Sequence, residues 1–275
     1  MKTLQLLLLI SCLGLNVQSI AQGDLLITPR RVLFEGTKQK EELNLVNVGK
    51  DTATFSISFL QYNMNEDGSF TTIEKADSGQ MFADPYLRIF PRIVTLAPGE
   101  PQVIMLQYRR KAEMPTGEYR SHLYFRSEKN YKPLGMDNKP KDTTSLSMQL
   151  IPIYGMSIPV IIRVGETNVN ASLSDIKLIS NTDAKQNLSC SIHRKGNISA
   201  YGNILVDYYP VEGKHVQLGL VKGIGVYTNI TKRNISVLLN LEPGQSLKPG
   251  KITVRYTSPD DTKFMVYAEG ELEIK

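Results

Sequence analysis

Tryptophan is absent from this chain, and histidine and cysteine are scarce: three histidines and two cysteines in 275 residues. Cys12 lies in an apolar amino-terminal stretch. If that stretch is removed, Cys190 stands alone, which excludes an intrachain disulfide and any zinc site built from thiolates. His122, His193 and His215 are scattered over both halves, and none falls in a His-x-x-x-His or Glu-x-x-His spacing. His122 reads as a sheet residue rather than a ligand. Cys190 and His193 are three residues apart in an extended run, so they face opposite sides. Gly223-Ile224-Gly225 lacks the third glycine and the following helix of a nucleotide loop, and Asp260-Asp261 after Ser258-Pro259 reads as a turn. Together these point away from an enzyme and imply no metal and no cofactor. Charge is modest, at 21% of residues with a formal +5. Basic residues cluster at Arg30-Arg31, Arg109-Arg110-Lys111 and 129–141. A nucleic-acid face would want such clusters interleaved with aromatics on one face. The export expected from the amino-terminal stretch argues against it, and solvated loops are the plainer reading, so no nucleic-acid partner is expected. Asn-x-Ser/Thr triplets at Asn170, Asn187, Asn197, Asn229 and Asn234 matter only where exported proteins are glycosylated.

The only long apolar run opens the chain. Lys2 supplies a positive start, Leu4 to Leu15 an apolar core, and Ser19-Ile20-Ala21 a small-x-small cleavage signal. A membrane span would need about 20 apolar residues, and Asn16 and Gln18 interrupt the run. Leu9-Ile10-Ser11-Cys12 also resembles a lipoprotein cleavage box, but cutting there leaves a short signal and an apolar mature end. The expectation is therefore a signal peptide over 1–21 and export.

The remainder is patterned as strands, with no sustained helical period. Glu42 to Val48, Ala53 to Phe59, Val103 to Tyr108 and Ser121 to Arg126 alternate, with Gly-Lys, Asp-Gly and Pro-Gly punctuation between them. A second series comprises Asp175 to Leu178, Leu188 to His193, Tyr201 to Tyr209, Val216 to Val221, Ser236 to Leu241, Gly250 to Tyr256 and Phe264 to Ile274. Short strands at such spacing indicate antiparallel sandwiches. The spacing predicts two domains, 22–163 and 168–275, separated near Val164 to Asn168. Leu241-Glu242-Pro243-Gly244-Gln245 echoes Leu96-Ala97-Pro98-Gly99-Glu100, a hint of two related sandwiches.

One segment stands apart. After a polar, lysine-rich stretch over 127–144, every second residue from Leu146 to Ile162 lacks a charge or an amide: Leu146, Met148, Leu150, Pro152, Tyr154, Met156, Ile158, Val160 and Ile162. In an extended chain these share one face, roughly 50 Å long at about 3.3 Å per residue. Few strands are so long, so part of the stripe is expected to cross into a second domain or to be kept for a partner.

The first half resembles the PapD-like periplasmic pilus-assembly chaperones. The resemblance is carried by Ile27 to Gly36, Leu43 to Asn47, Arg88 to Glu100 and Gly117 to Phe125, in order and spacing. It implies an all-β protein of two immunoglobulin-like β-sandwich domains in tandem, a boomerang, working in the periplasm. It also implies a binding function: an incomplete pilin-like subunit is held by β-strand donation from the last strand of the first domain. By the same resemblance Leu146, Met148 and Leu150 would be the donor residues, with Met156 to Ile162 filling the chaperone's own core. Arg31 would anchor the client's terminal carboxylate. The family's second anchor, a lysine, is missing; Ser157 falls nearest its place, and Arg163 lies six residues on. Pro152, without an amide proton, cannot extend a ladder. An outer-membrane usher and a self-capped homodimer are further partners the resemblance suggests. The rival reading is a structural or adhesive exported immunoglobulin-like protein.

Overall fold

The computed structural model describes residues 25–128, 154–180, 186–241, 247–259 and 263–275. In chain order the first half contains β1 (Leu25–Thr28), β2 (Val32–Phe34), β3 (Lys40–Asn47), β4 (Ala53–Met64), β5 (Phe70–Ile73), β6 (Leu87–Phe90), β7 (Ile93–Leu96), β8 (Pro101–Tyr108), β9 (Gly117–Ser127) and β10 (Gly155–Val164). The second half contains β11 (Val169–Ser180), β12 (Gln186–Gly196), β13 (Ala200–Pro210), β14 (Val216–Val226), β15 (Lys232–Leu238), β16 (Gly250–Thr257) and β17 (Val266–Ile274). A single 3-10 turn, Asp84–Tyr86, is the only helical element among the described residues. The protein is all-β, two tandem β-sandwiches.

In the first sandwich one sheet runs β1-β3-β8-β6 and the other β2-β10-β9-β4-β5, with β7 also on β4. Alternation explains the layering. In β3, Leu43 and Leu45 are fully buried while Glu42 and Asn44 face water. In β8, Ile104 and Leu106 are buried while Val103 and Met105 are exposed. Phe34, Phe55, Leu96, Leu123 and Phe125 join them in one core. Asn47 closes β3: its Nδ2 donates to the carbonyls of Asp51 (2.8 Å) and Leu96 (2.9 Å), and its Oδ1 accepts from Gly49 N (2.9 Å). The buried amide side chain thus pins the turn into β4. The Tyr119 hydroxyl donates back to the Pro115 carbonyl (2.9 Å), the arrangement of a tyrosine corner.

The second sandwich pairs a β11-β12-β15 sheet with a β14-β13-β16-β17 sheet. Leu188, Cys190, Ile192, Ile204, Val206, Ile252, Val254 and Tyr256 form its core. Its edge strand β17 turns Glu269, Glu271 and Glu273 to solvent, a charged edge that discourages pairing with other chains.

Candidate functional site

β9 and β10 build a face that points away from the first core. Along β9 the side chains of Tyr119, Ser121, Leu123 and Phe125 turn inward, so Glu118, Arg120 and His122 share the outer side. β10 pairs with β9 over its whole length, from Gly155↔Arg126 to Val164↔Gly117. Its other edge is different. Among the described strands only β2 reaches it, in parallel, and only at Val160↔Val32, Ile161↔Leu33 and Ile162↔Phe34. Gly155, Met156, Ser157 and Ile158 therefore have no described neighbour on that side. Among the described residues this side of β10 is an open sheet edge, in line with β2.

Burial follows this geometry and corrects one expectation. Ile158, Val160 and Ile162 are buried as anticipated, but Met156 is 38% exposed and Tyr154 59%. The own-core part of the stripe therefore begins at Ile158, because upstream of Val160 no described strand extends the sheet beyond β10. Ile161, on the opposite face, is fully buried without belonging to the first core.

Arg31 immediately precedes β2, so it lies level with Pro159, at the end of the open edge. Its guanidinium sits over the Tyr201 ring of the second sandwich, 4.2 Å from the centroid. Burial lowers its affinity for the proton, and the neighbouring Arg120 and Arg163 cations act in the same direction. Arginine stays charged all the same. Ser157 is half-buried on the same outer face, two residues before Pro159, and supplies a hydroxyl but no charge. Leu146, Met148 and Leu150, together with Pro152, lie outside the described residues.

Sequence reasoning missed the partners of this face. Glu118, with a wholly buried side chain, accepts from Arg120 Nη2 (2.6 Å) and from the amide and hydroxyl of Ser199 in the second sandwich (3.2 and 2.8 Å). Arg163 Nε approaches the same carboxylate at 3.5 Å and Arg163 Nη1 reaches Glu35 at 3.7 Å. Burial alone would raise the Glu118 pKa. Arg120, the Ser199 bond and Arg163 outweigh it and hold the carboxyl below its usual range. Three guanidiniums (Arg31, Arg120 and Arg163) thus stand against two carboxylates (Glu118 and Glu35), leaving this face one positive charge in excess. Only the period-two placing of Glu118, Arg120 and His122 was visible in the sequence. Tyr201 and Ser199 come from the other half and no local pattern announces them.

The second sandwich presents Ser199 on the loop before β13 and Tyr201 at the start of β13, next to loops clasped by Arg194. That side chain is 5% exposed and donates to the carbonyls of Ile230, Gly196, Ile198 and Thr228 at 2.7–3.2 Å. No cluster of His, Cys, Asp or Glu suited to a metal occurs among the described residues, and no helix there is long and apolar enough to cross a membrane.

No family model matches the chain, and no curated protein does. Solved structures do. The YadV chaperone is 14% identical with a TM-score of 0.46, covering 92% of this chain and 100% of that one. The CsuC–CsuE chaperone–tip adhesion subunit complex of archaic Csu pili from Acinetobacter baumannii is 14% identical with a TM-score of 0.42, covering 90% and 99%. The CupB2 chaperone of Pseudomonas aeruginosa is 10% identical with a TM-score of 0.42, covering 90% and 98%.

Proposed function

We propose that the protein is an exported, periplasmic binding protein, a chaperone that holds a pilin-like surface subunit by completing the subunit's sheet, without catalysis. The observation that carries this reading is the open edge of β10. Among the described residues no strand lies beside Gly155 to Ile158 there, so the alternate residues that turn their backbone groups away from β9 have no strand partner, and the apolar side chains of Tyr154 and Met156 are exposed. A strand laid along this edge would sit in line with β2. Running parallel to β10, it would end at Arg31.

The chemistry at that end suits a chain terminus. Arg31 is half-buried and stacked on Tyr201, in a face with one unbalanced positive charge. A terminal carboxylate would supply the missing anion, in a charge-assisted bond worth about 1.5–3 kcal/mol. Ser157 offers a second donor on the same face but does not replace a cation. On this reading Leu146, Met148 and Leu150 extend the donor edge, each buried side chain adding about 1.5–3 kcal/mol.

The test is capture of the client from cells. Wild-type protein is expected to co-purify an exported subunit. Leu146→Glu with Leu150→Glu, and separately Met156→Glu, are expected to lose it while melting like the wild type. Retention of the same partner by both variants would refute strand donation. The structural or adhesive reading predicts instead that these changes unfold the first sandwich or dissolve a homo-oligomer, which size-exclusion chromatography and thermal melts register.

A further inference from the structure

The contact between the two sandwiches contains a buried imidazole that strand donation does not use. His122 is 5% exposed. Its ring lies edge-on to Tyr62 of β4 at 4.8 Å, near Phe70 of β5 at 6.3 Å, and stacked on Tyr227 of the second sandwich at 6.1 Å. Nε2 is 3.3 Å from the Tyr227 hydroxyl, and Nδ1 is buried without a hydrogen-bond partner. Arg120 covers the same Tyr227 ring from 3.8 Å. We propose that this cluster is an acid-released latch: protonating His122 parts Tyr227 and its loop from the outer face of β9, and frees the second sandwich from the first.

The surroundings leave the imidazolium no support. From β9 the charged neighbour is Arg120, a like charge. From β4 comes Tyr62, from β5 Phe70, and from β10 Pro159. From the stretch before β6 come Gln80, Met81 and Phe82, and from the second sandwich Tyr227, Thr228 and Asn229. The lining of the cavity beside the ring contains no carboxylate. Glu118, on the same face of β9, is committed to Arg120, Ser199 and Arg163. The cavity measures about 10 Å³, at the lower limit for a single water, so it leaves little room to hydrate the charged ring in place. Burial, then Arg120, push the His122 pKa down from 6.5 to about 3.

Glu118, bonded to Ser199, also ties the sandwiches, but its carboxyl is held below the usual range, so it keeps its charge between about pH 7.5 and 4.5. Asn234 N donates to the Glu66 carbonyl (2.6 Å) and Asn229 Nδ2 to the Met64 carbonyl (2.8 Å). Asp67, at the tip of the β4–β5 turn near Arg233, is held below the usual carboxylate range by Ser69. The sign follows from linkage. The closed form binds the proton weakly and the open form binds it normally. The closed-to-open ratio is constant above about pH 6.5 and falls about tenfold for each pH unit below it, down to about pH 3.

Amide hydrogen exchange on the full chain, corrected for intrinsic rates, tests this. Protection of Asn234 N–H should fall about a hundredfold between roughly pH 7.5 and 4.5, by that linkage, while the paired amides of β3 and β8 hold. His122→Gln should flatten the Asn234 slope. Equal loss in the β3 and β8 amides, or an unchanged slope in the variant, would overturn the latch. Should the variant not fold, the wild-type imidazole is followed by NMR. Titration coinciding with loss of Asn234 protection supports the latch, and titration near the ordinary value with Asn234 still protected overturns it.

Discussion

At the scale of single residues, the buried ionisable groups give the sharpest expectations. Glu118 carries no exposed surface and is shared by Arg120, Arg163 and Ser199. Removing one partner of a buried pair leaves uncompensated charge, at about 3–5 kcal/mol. Glu118→Ala is therefore expected to lower unfolding stability by about that much in urea, and Glu118→Ala with Arg120→Ala to recover part of the loss. Because the Glu118 pKa is depressed, its contribution is present above the normal carboxylate range and disappears as the pH falls through the folded value. In the variant, stability should change less on acidification than in the wild type. Cys190 gives an independent check. Burial pushes its thiol up to about 12, so a thiol reagent at neutral pH should leave the native protein unmodified and react fully in denaturant. The sequence left this cysteine without a partner only on the expectation that Cys12 is cut away; among the described residues it is free. That it is buried follows from the inward turn of Leu188, Cys190 and Ile192, a period-two pattern legible in advance. The partners of Glu118 beyond β9 were not legible, since Arg163 reaches it from β10 and Ser199 from the loop before β13.

At the scale of elements, β10 divides into two parts with different duties. Ile158, Val160 and Ile162 belong to the core, whereas Met156 sits beyond the last described pairing with β2. Ile158→Ala is expected to cost about 2–5 kcal/mol, and Met156→Lys to stay within about 0.5 kcal/mol of wild type. Parallel chemical melts measure both. A large cost at Met156 would mean that the edge is already packed, and strand donation there would fail with it. The alternation that marks β10 as a strand was plain in the sequence, as were the cores of β3, β8, β12 and β13. The point where own-core burial stops was not. It depends on β2, a three-residue strand more than a hundred positions earlier, whose parallel register no local pattern encodes. Strand ends show the same limit: β4 runs on to Met64, past the alternating stretch that ends at Phe59, because β5 folds back to pair with its far end.

At the scale of the whole molecule, that extension of β4 is one of the ties that join the sandwiches, beside the Glu118–Ser199 bonds. The β4–β5 turn carries Glu66 and Met64 carbonyls to Asn234 and Asn229. Its tip is built for close approach. Gly68 has φ +84°, and a Cβ there would run into the Arg233 guanidinium. The left-handed backbone alone costs a side chain about 1–2 kcal/mol, and the Arg233 guanidinium, which now donates to the Gly225 carbonyl, would have to shift. Gly68→Ala is therefore expected to loosen the contact between the sandwiches while leaving each core intact. Limited proteolysis is the natural readout, because the stretch from Gly165 to Asn168 carries the chain from one sandwich to the other. The variant should be cut there several times faster than wild type and release two protease-resistant halves. Cutting at the wild-type rate would mean that the turn merely touches the second sandwich, and that the Glu118–Arg120–Ser199 bonds hold the contact by themselves.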